Sequence, residues 1–238
     1  PARPLRLEEG ATVYTVPRRA LLGAESGSSL PLRYAEVVGH EGGLLLVSMG
    51  REAPYAVHPG YVIAPQLEGR LRRGSYVLAP YRQQLRHGVV VRVQGDGVQL
   101  QYTDLGFKAG VRRLQRKWVA PQPDGLAPGN FAVARRGGKL EHLLLVSSGT
   151  WGDGTKRWLA LGHGTAATLV DEASLQPLSL DFKPKAGEPV LVQWLGTMVP
   201  AEVVAVDPPG LFRVERPEVA PGLVVGADLL LPAPATSR

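Results

Sequence analysis

The sequence predicts an all-β fold of four tandem, five-stranded small barrels packed in an array, and three observations predict it. Gly (29) and Pro (21) make up roughly a fifth of the 238 residues without a collagen-like period, so turns are frequent. Pro65, Pro121, Pro177 and Pro232 lie 56, 56 and 55 residues apart, and each closes a similar apolar stretch. Short β-branched runs recur between Gly and Pro punctuation, and no segment carries a convincing amphipathic helical period. The nearest to a helix is the short, arginine-rich stretch from Val111 to Trp118.

The units begin alike. Gly10, Gly74, Gly129 and Gly187 each follow a short charged or Pro-containing lead and precede an apolar strand: Val13-Tyr14, Tyr76-Val77-Leu78, Phe131-Ala132-Val133 and Val190-Leu191-Val192. A hairpin follows in each. In the second unit Val89–Gln94 and Val98–Thr103 flank Gly95-Asp96-Gly97, a strong hairpin signal. The first has Arg33–Val38 and Leu44–Ser48 around Glu41-Gly42-Gly43. The fourth has Ala201–Val206 and Leu211–Glu215 around Pro208-Pro209-Gly210. The third has His142–Ser147 and Arg157–Leu161 around a long Gly-rich tip from Ser148 to Thr155. The units close at Tyr61–Pro65, Trp118–Pro121, Ser174–Pro177 and Leu229–Pro232. The expected domains are therefore 8–66, 72–122, 127–180 and 185–232. Units of about fifty-five residues are near the lower limit for independent folding, so neighbours are expected to pack on one another.

This strand order resembles the Tudor/SH3-like barrel. Tyr34-Ala35-Glu36-Val37-Val38 and Val199-Pro200-Ala201-Glu202-Val203-Val204 are similar to its second strand, and Tyr102-Thr103-Asp104-Leu105-Gly106-Phe107 to its aromatic-x-Asp-Tyr-Gly corner. The resemblance implies binding of a protein or peptide partner. An aromatic cage would draw on Tyr81, Tyr102 and Phe107, with Asp104 as the ionic partner of a methylated cation. The second-strand aromatic of such cages is missing, since His87-Gly88 stand there.

Charge is uneven. The chain carries a formal +6, yet 72–122 alone carries +8, from ten cations against Asp96 and Asp104. Arg72, Arg73, Arg82, Arg86, Arg112, Arg113, Arg116 and Lys117 form the candidate polyanion site, with nucleic acid as one such ligand. The open alternatives for this basic unit are an acidic protein partner, a cell-envelope polymer, or a solvated surface that keeps the chain soluble.

Catalysis is not expected. His40, His58, His87, His142 and His163 form no metal-spaced pair, and the chain has no cysteine for thiolate zinc, disulfide or thiol chemistry. Ser147–Lys156 is Gly-rich but lacks the Gly-Lys-Ser/Thr order of a phosphate loop. No cofactor and no metal are expected. An exposed Trp151–Trp158 pair is a further candidate contact site. No run of eighteen apolar residues spans a membrane. The opening on Pro1 reads as a processed or truncated form, the Ala/Gly/Pro/Arg-rich usage suggests a bacterial coding sequence, and the compartment is not legible.

Overall fold

A computed structural model describes residues 7–18, 32–104, 110–162, 167–207, 209–216 and 219–234. Among these, regular structure is strand and short 3-10 turn with almost no α-helix, and the predicted all-β class is observed. Among the described residues no helix is long and apolar enough to cross a membrane.

Pairing divides the strands into four groups of five. The first holds β1 (Thr12–Thr15), β2 (Arg33–Glu41), β3 (Leu44–Ser48), β4 (Tyr55–Val57) and β5 (Val62–Ile63). The second holds β6 (Tyr76–Tyr81), β7 (Gln84–Gln94), β8 (Gly97–Tyr102), β9 (Arg112–Gln115) and β10 (Ala120–Pro121). The third holds β11 (Phe131–Arg136), β12 (Lys139–Thr150), β13 (Lys156–Gly162), β14 (Ala167–Asp171) and β15 (Leu175–Pro177). The fourth holds β16 (Pro189–Trp194), β17 (Thr197–Asp207), β18 (Leu211–Arg216), β19 (Val219–Gly226) and β20 (Leu230–Pro232). In each group the order is fifth, first, second, third, fourth, all antiparallel, and the groups join in pairs into two ten-stranded sheets. The ladders stay open between fourth and fifth strands, so closed barrels are not observed among the described residues.

One device recurs in all four groups. Glu8–Ala11, Arg72–Ser75, Ala127–Asn130 and Lys185–Glu188 form turns in which the last N–H donates to the first carbonyl. Their third residues, Gly10, Gly74, Gly129 and Gly187, have φ of 85°, 86°, 91° and 85°. A type II turn requires that left-handed value at its third position, and glycine alone adopts it without steric penalty. Each glycine N–H then donates to a second-strand carbonyl, of Val37, Val90, Leu145 or Val203. The N–H of that same residue donates back, to Ala11, Ser75, Asn130 or Glu188. Immediately beyond, the register to the third strand slips at Val37/Gly39, Val90/Arg92, Leu145/Ser147 and Val203/Ala205. Such a bulge bends and over-twists the strand. One long second strand therefore pairs with the opening strand only before the bend, while its pairing with the third strand runs through the bend on both sides.

Two elements depart from the expected outline. The arginine-rich stretch from Val111 to Trp118, the nearest to a helix in the sequence, holds the edge strand β9 followed by a 3-10 turn at Arg116–Trp118. Backbone pairing with β8 overrides the local preference there. In the third unit Gly149 and Thr150 extend β12 opposite Arg157 and Lys156, so the hairpin tip is shorter than the Gly-rich stretch implies.

The groups pack closely. Arg33 bridges to Gln84 and Glu141 to Thr197. These bridges are equivalent, since Arg33 and Glu141 each lie four residues before their clamp residue, Val37 or Leu145. The N–H of Tyr34 donates to Gln83 O (2.7 Å) and that of His142 to Gly196 O (2.8 Å), which repeats the match. Tyr14, Ile63, Leu78, Ala120, Val146 and Leu161 form one buried cluster across the first three units. Tyr76 Oη ties the second unit to the fourth, donating to Gly210 O (2.8 Å) and accepting from Ala227 N–H (2.9 Å).

Asp228 is fully buried at the same junction and accepts a hydrogen bond from Thr103 Oγ1 (3.0 Å). Burial pushes its carboxyl up to about 6, against the nearby imidazole of His87, which pulls it down. A carboxyl whose folded pKa is raised favours the protonated folded state, so its contribution is full below pH 4 and is lost as pH rises through 6. Asp228→Asn should therefore gain roughly 2–3 kcal/mol relative to the parent chain between pH 4 and pH 8. Urea denaturation at the two pH values measures it, and a pH-independent difference would contradict the assignment.

The glycine clamp generates a second expectation. Nothing lies within 4 Å of a Cβ placed on Gly187, whereas one on Gly129 meets Leu78 Cδ1 at 2.7 Å. Gly187→Ala should cost about 1–2 kcal/mol from the left-handed backbone alone. Gly129→Ala should cost more, because the buried leucine must also move. Paired denaturation curves would separate the two effects.

Candidate functional site on the outer faces of the second and third units

The residues expected to form an aromatic cage do not present one. Tyr102 is buried at 2% exposure on the core face of β8, with its hydroxyl donating to Pro80 O at 2.6 Å. Burial and then the nearby Asp104 carboxylate raise its ionisation well above the ordinary tyrosine range. Tyr81 packs edge-on against it, centroids 5.2 Å apart, and the Arg82 guanidinium lies 5.5 Å above the Tyr81 ring. Asp104 turns inward, accepting the His87 backbone N–H (3.2 Å) with Arg86 Nη1 at 3.8 Å. Phe107 lies outside the described residues. A cation seeking an open ring face finds Tyr102 already in the core.

The basic residues separate into two kinds. Arg116 is engaged inside the protein, donating to Val119 O at 2.5 Å and to Gly69 O. Arg86 donates to Gln84 Oε1 (2.7 Å) and sits beside Asp104. Arg72, Arg73, Arg82, Arg112, Arg113 and Lys117 are exposed. None of these six forms an ion pair among the described residues, although Lys117 Nζ lies 5.2 Å over the Trp118 ring.

Register shows where such side chains gather. Residues directly opposite on neighbouring strands point to the same face. Just beyond the bulge, one outward-facing row crosses the second, third and fourth strands of every unit. It reads Gly39, Leu46, Ala56 in the first and Arg92, Gln99, Arg113 in the second. It reads Ser147, Leu159, Leu169 in the third and Ala205, Arg213, Val224 in the fourth. The backbone is repeated and the chemistry is not.

In the third unit this face borders a groove of about 930 Å³. Its far wall is the 3-10 turn Pro59–Tyr61 of the first unit, joined to the row by Ser147 Oγ donating to Gly60 O at 2.6 Å. Leu159, Leu169 and Trp151 line it, and Leu169 and Trp151 remain 49% and 46% exposed. Among the described residues no carboxylate lines it. Arg157, which lines it, donates to Asp171 Oδ1 (2.7 Å) and Asp153 Oδ2 (2.9 Å). The Thr155 backbone N–H, helped by Arg157, holds the Asp153 carboxyl below its ordinary range. His58 Nδ1 accepts the Gly60 N–H at 3.0 Å.

Trp151 is thus exposed, but the expected tryptophan pair is not. Trp158 is buried at 2%, and its indole N–H donates to Glu172 Oε2 at 2.8 Å. The sequence missed Tyr61, Leu159 and Leu169 as site residues, because the groove exists only where two units meet. His87 and His142, which form no metal-spaced pair in the sequence, are both buried against Phe131, with centroids 4.0 and 4.3 Å away.

No protein-family model matches the chain, and no curated protein matches it. Solved structures similar to it include the four MBT repeats of Drosophila melanogaster Sfmbt in complex with the peptide RHR(me)KVLR. That alignment covers 95% of this chain and 88% of the other at 10% identity, with a TM-score of 0.19. At that score the likeness carries no weight for fold or ligand.

The division among the arginines predicts a stability difference. Arg116→Ala should cost about 1–3 kcal/mol, since it leaves the Val119 and Gly69 carbonyls without their charged donor. Arg113→Ala, on an exposed face, should stay within about 0.5 kcal/mol. Chemical denaturation of the two variants checks both.

Proposed function

We propose that this chain is a non-enzymatic scaffold of four tandem SH3/Tudor-like barrels. In this reading it takes an extended, apolar segment of a partner protein in the groove between its first and third units. The observation that carries the reading is the pairing of two large exposed apolar side chains, Trp151 and Leu169, in one concave site. Exposed apolar area gathered in a groove favours an apolar occupant.

The polar groups around the groove support the same reading. Arg157 is neutralised by Asp153 and Asp171, so a charged ligand gains no unmet partner there. Ser147 Oγ and His58 Nδ1 are both bound to Gly60, an arrangement that serves structure rather than nucleophile activation. The five-strand order within 8–66, 72–122, 127–180 and 185–232, and the 3-10 turn before each closing strand, support the barrel reading.

Peptide-display selection on the intact chain, with counter-selection against Leu169→Arg, tests the proposal. Enriched peptides should be apolar and uncharged, and should lose about tenfold or more affinity with Leu169→Arg or Trp151→Ala. Both side chains are about half exposed, so the variants should melt near the parent temperature. Peptides that bind parent and Leu169→Arg equally would refute the groove as the site.

A further inference from the structure

The second unit's version of the same face points to a different ligand. Arg92 on β7 and Arg113 on β9 stand on either side of Gln99, all three in one outward row. Two strand spacings separate the arginines by about 10 Å. The next row is Gln94, Gly97 and Gln115. The glycine matters, because a Cβ there would lie 2.8 Å from Arg113 Nε. Gly97 thus leaves room for the Arg113 guanidinium across the sheet. The surface is rich in donors.

Its charge is uncompensated. In the third and fourth units, Arg136 pairs with Glu141, Lys156 with Glu172, Arg157 with Asp153 and Asp171, and Arg213 with Asp207. Arg92, Arg112, Arg113 and Lys117 have no such partner among the described residues. Edge strands often carry charge merely to block unwanted pairing, and Arg112 and Arg113 on β9 would serve that purpose. Arg92, two strands inward, does nothing for the edge.

We propose that this face binds the phosphate backbone of double-stranded nucleic acid without reading sequence. Guanidinium forks and amides match phosphate oxygens, and a row of unmatched cations supplies the field that attracts them. The nearby aromatics argue against single strands, which need open rings for base stacking. Tyr102 is in the core, Tyr81 is covered by Tyr102 and Arg82, and Trp118 packs edge-on against Tyr34 at 5.0 Å. The inference does not depend on the peptide groove.

The test is fluorescence anisotropy of the intact chain with a labelled duplex, its single strand and a polyglutamate of equal charge, at about 50 and 200 mM salt. For three phosphates contacted, duplex affinity should fall roughly 40-fold between those salts. Arg92→Gln with Arg113→Gln should weaken binding at least tenfold and flatten the salt slope by about two charges. Arg92→Lys with Arg113→Lys should keep the slope. Arg213→Gln, which removes the ion-paired arginine of the fourth unit's equivalent row, should change nothing. Absence of duplex binding at low salt, equal binding of the polyglutamate or single strand, or full binding by the Gln variant would each overturn the proposal. Melting curves of the Gln variant close to the parent's would show that a loss of binding is not a loss of fold.

Discussion

The structure depends on one reciprocal pair of backbone hydrogen bonds in each unit. A glycine in the left-handed region donates to a second-strand carbonyl, and the N–H of that same second-strand residue donates to the carbonyl of the residue after the glycine. The pair fixes where the second strand bends. Before the bend the strand lies between the opening and third strands, and after it only the third strand of the unit continues beside it. The strand order of the unit follows from that single placement. The apolar residues on the inner face, such as Val37, Leu45, Val47 and Val57 in the first unit, then enclose a core. Elsewhere in the ladder a missing hydrogen bond would fray one position. Here it would release the bend that gives the unit its two sides.

The same constraint governs how units associate. The residue four positions before the clamp, Arg33 or Glu141, bridges to the first residue of the next unit's second strand, Gln84 or Thr197. First with second and third with fourth are therefore two copies of one docking arrangement. The contacts between the copies are unlike. First meets third through Ser147, Gly60 and an apolar cluster, whereas second meets fourth through Tyr76, Thr103 and the buried Asp228. Two equal pairs joined along unequal sides leave a groove on one side. On the other they leave a fully desolvated carboxyl, whose burial opposes ionisation rather than stabilising the fold.

How much of this was legible in the sequence follows from which interactions are local. The four glycines, the opening strands and the long hairpins are set by turn chemistry and alternation within a few residues, and both can be read directly. The fourth strands are not. Tyr55–Val57 has three residues, and Arg112–Gln115 lacks any apolar alternation of its own, so only pairing with the third strand makes either a strand. Trp151 and Trp158 show the same limit. Trp151 lies in the Gly-rich tip and Trp158 on the strand just after it, and the sequence predicts their paired exposure. Trp158 instead faces the core opposite Val170 while Trp151 lies beyond the last paired residue, and the register separates them. Arg116 and Arg113 are equally basic in sequence, and only the nearness of Gly69 and Val119 reveals that one is a structural donor.

The repeat also explains why motif reasoning located the basic unit but not the groove. Positions that build the clamp and the inner face are held to glycine and apolar types by backbone geometry and burial, so they look alike in all four units and say nothing of ligands. The outward row beyond the bulge carries no such constraint. There the units diverge into Arg-Gln-Arg, Ser-Leu-Leu, Ala-Arg-Val and Gly-Leu-Ala. A positive row announces itself in a charge count, because arginine is conspicuous wherever it points. An apolar row does not, because Leu159 and Leu169 read as core until the strand register turns them outward. Function in such a repeat is carried by the positions the repeat leaves free, and an apolar site among them becomes visible only once the faces are known.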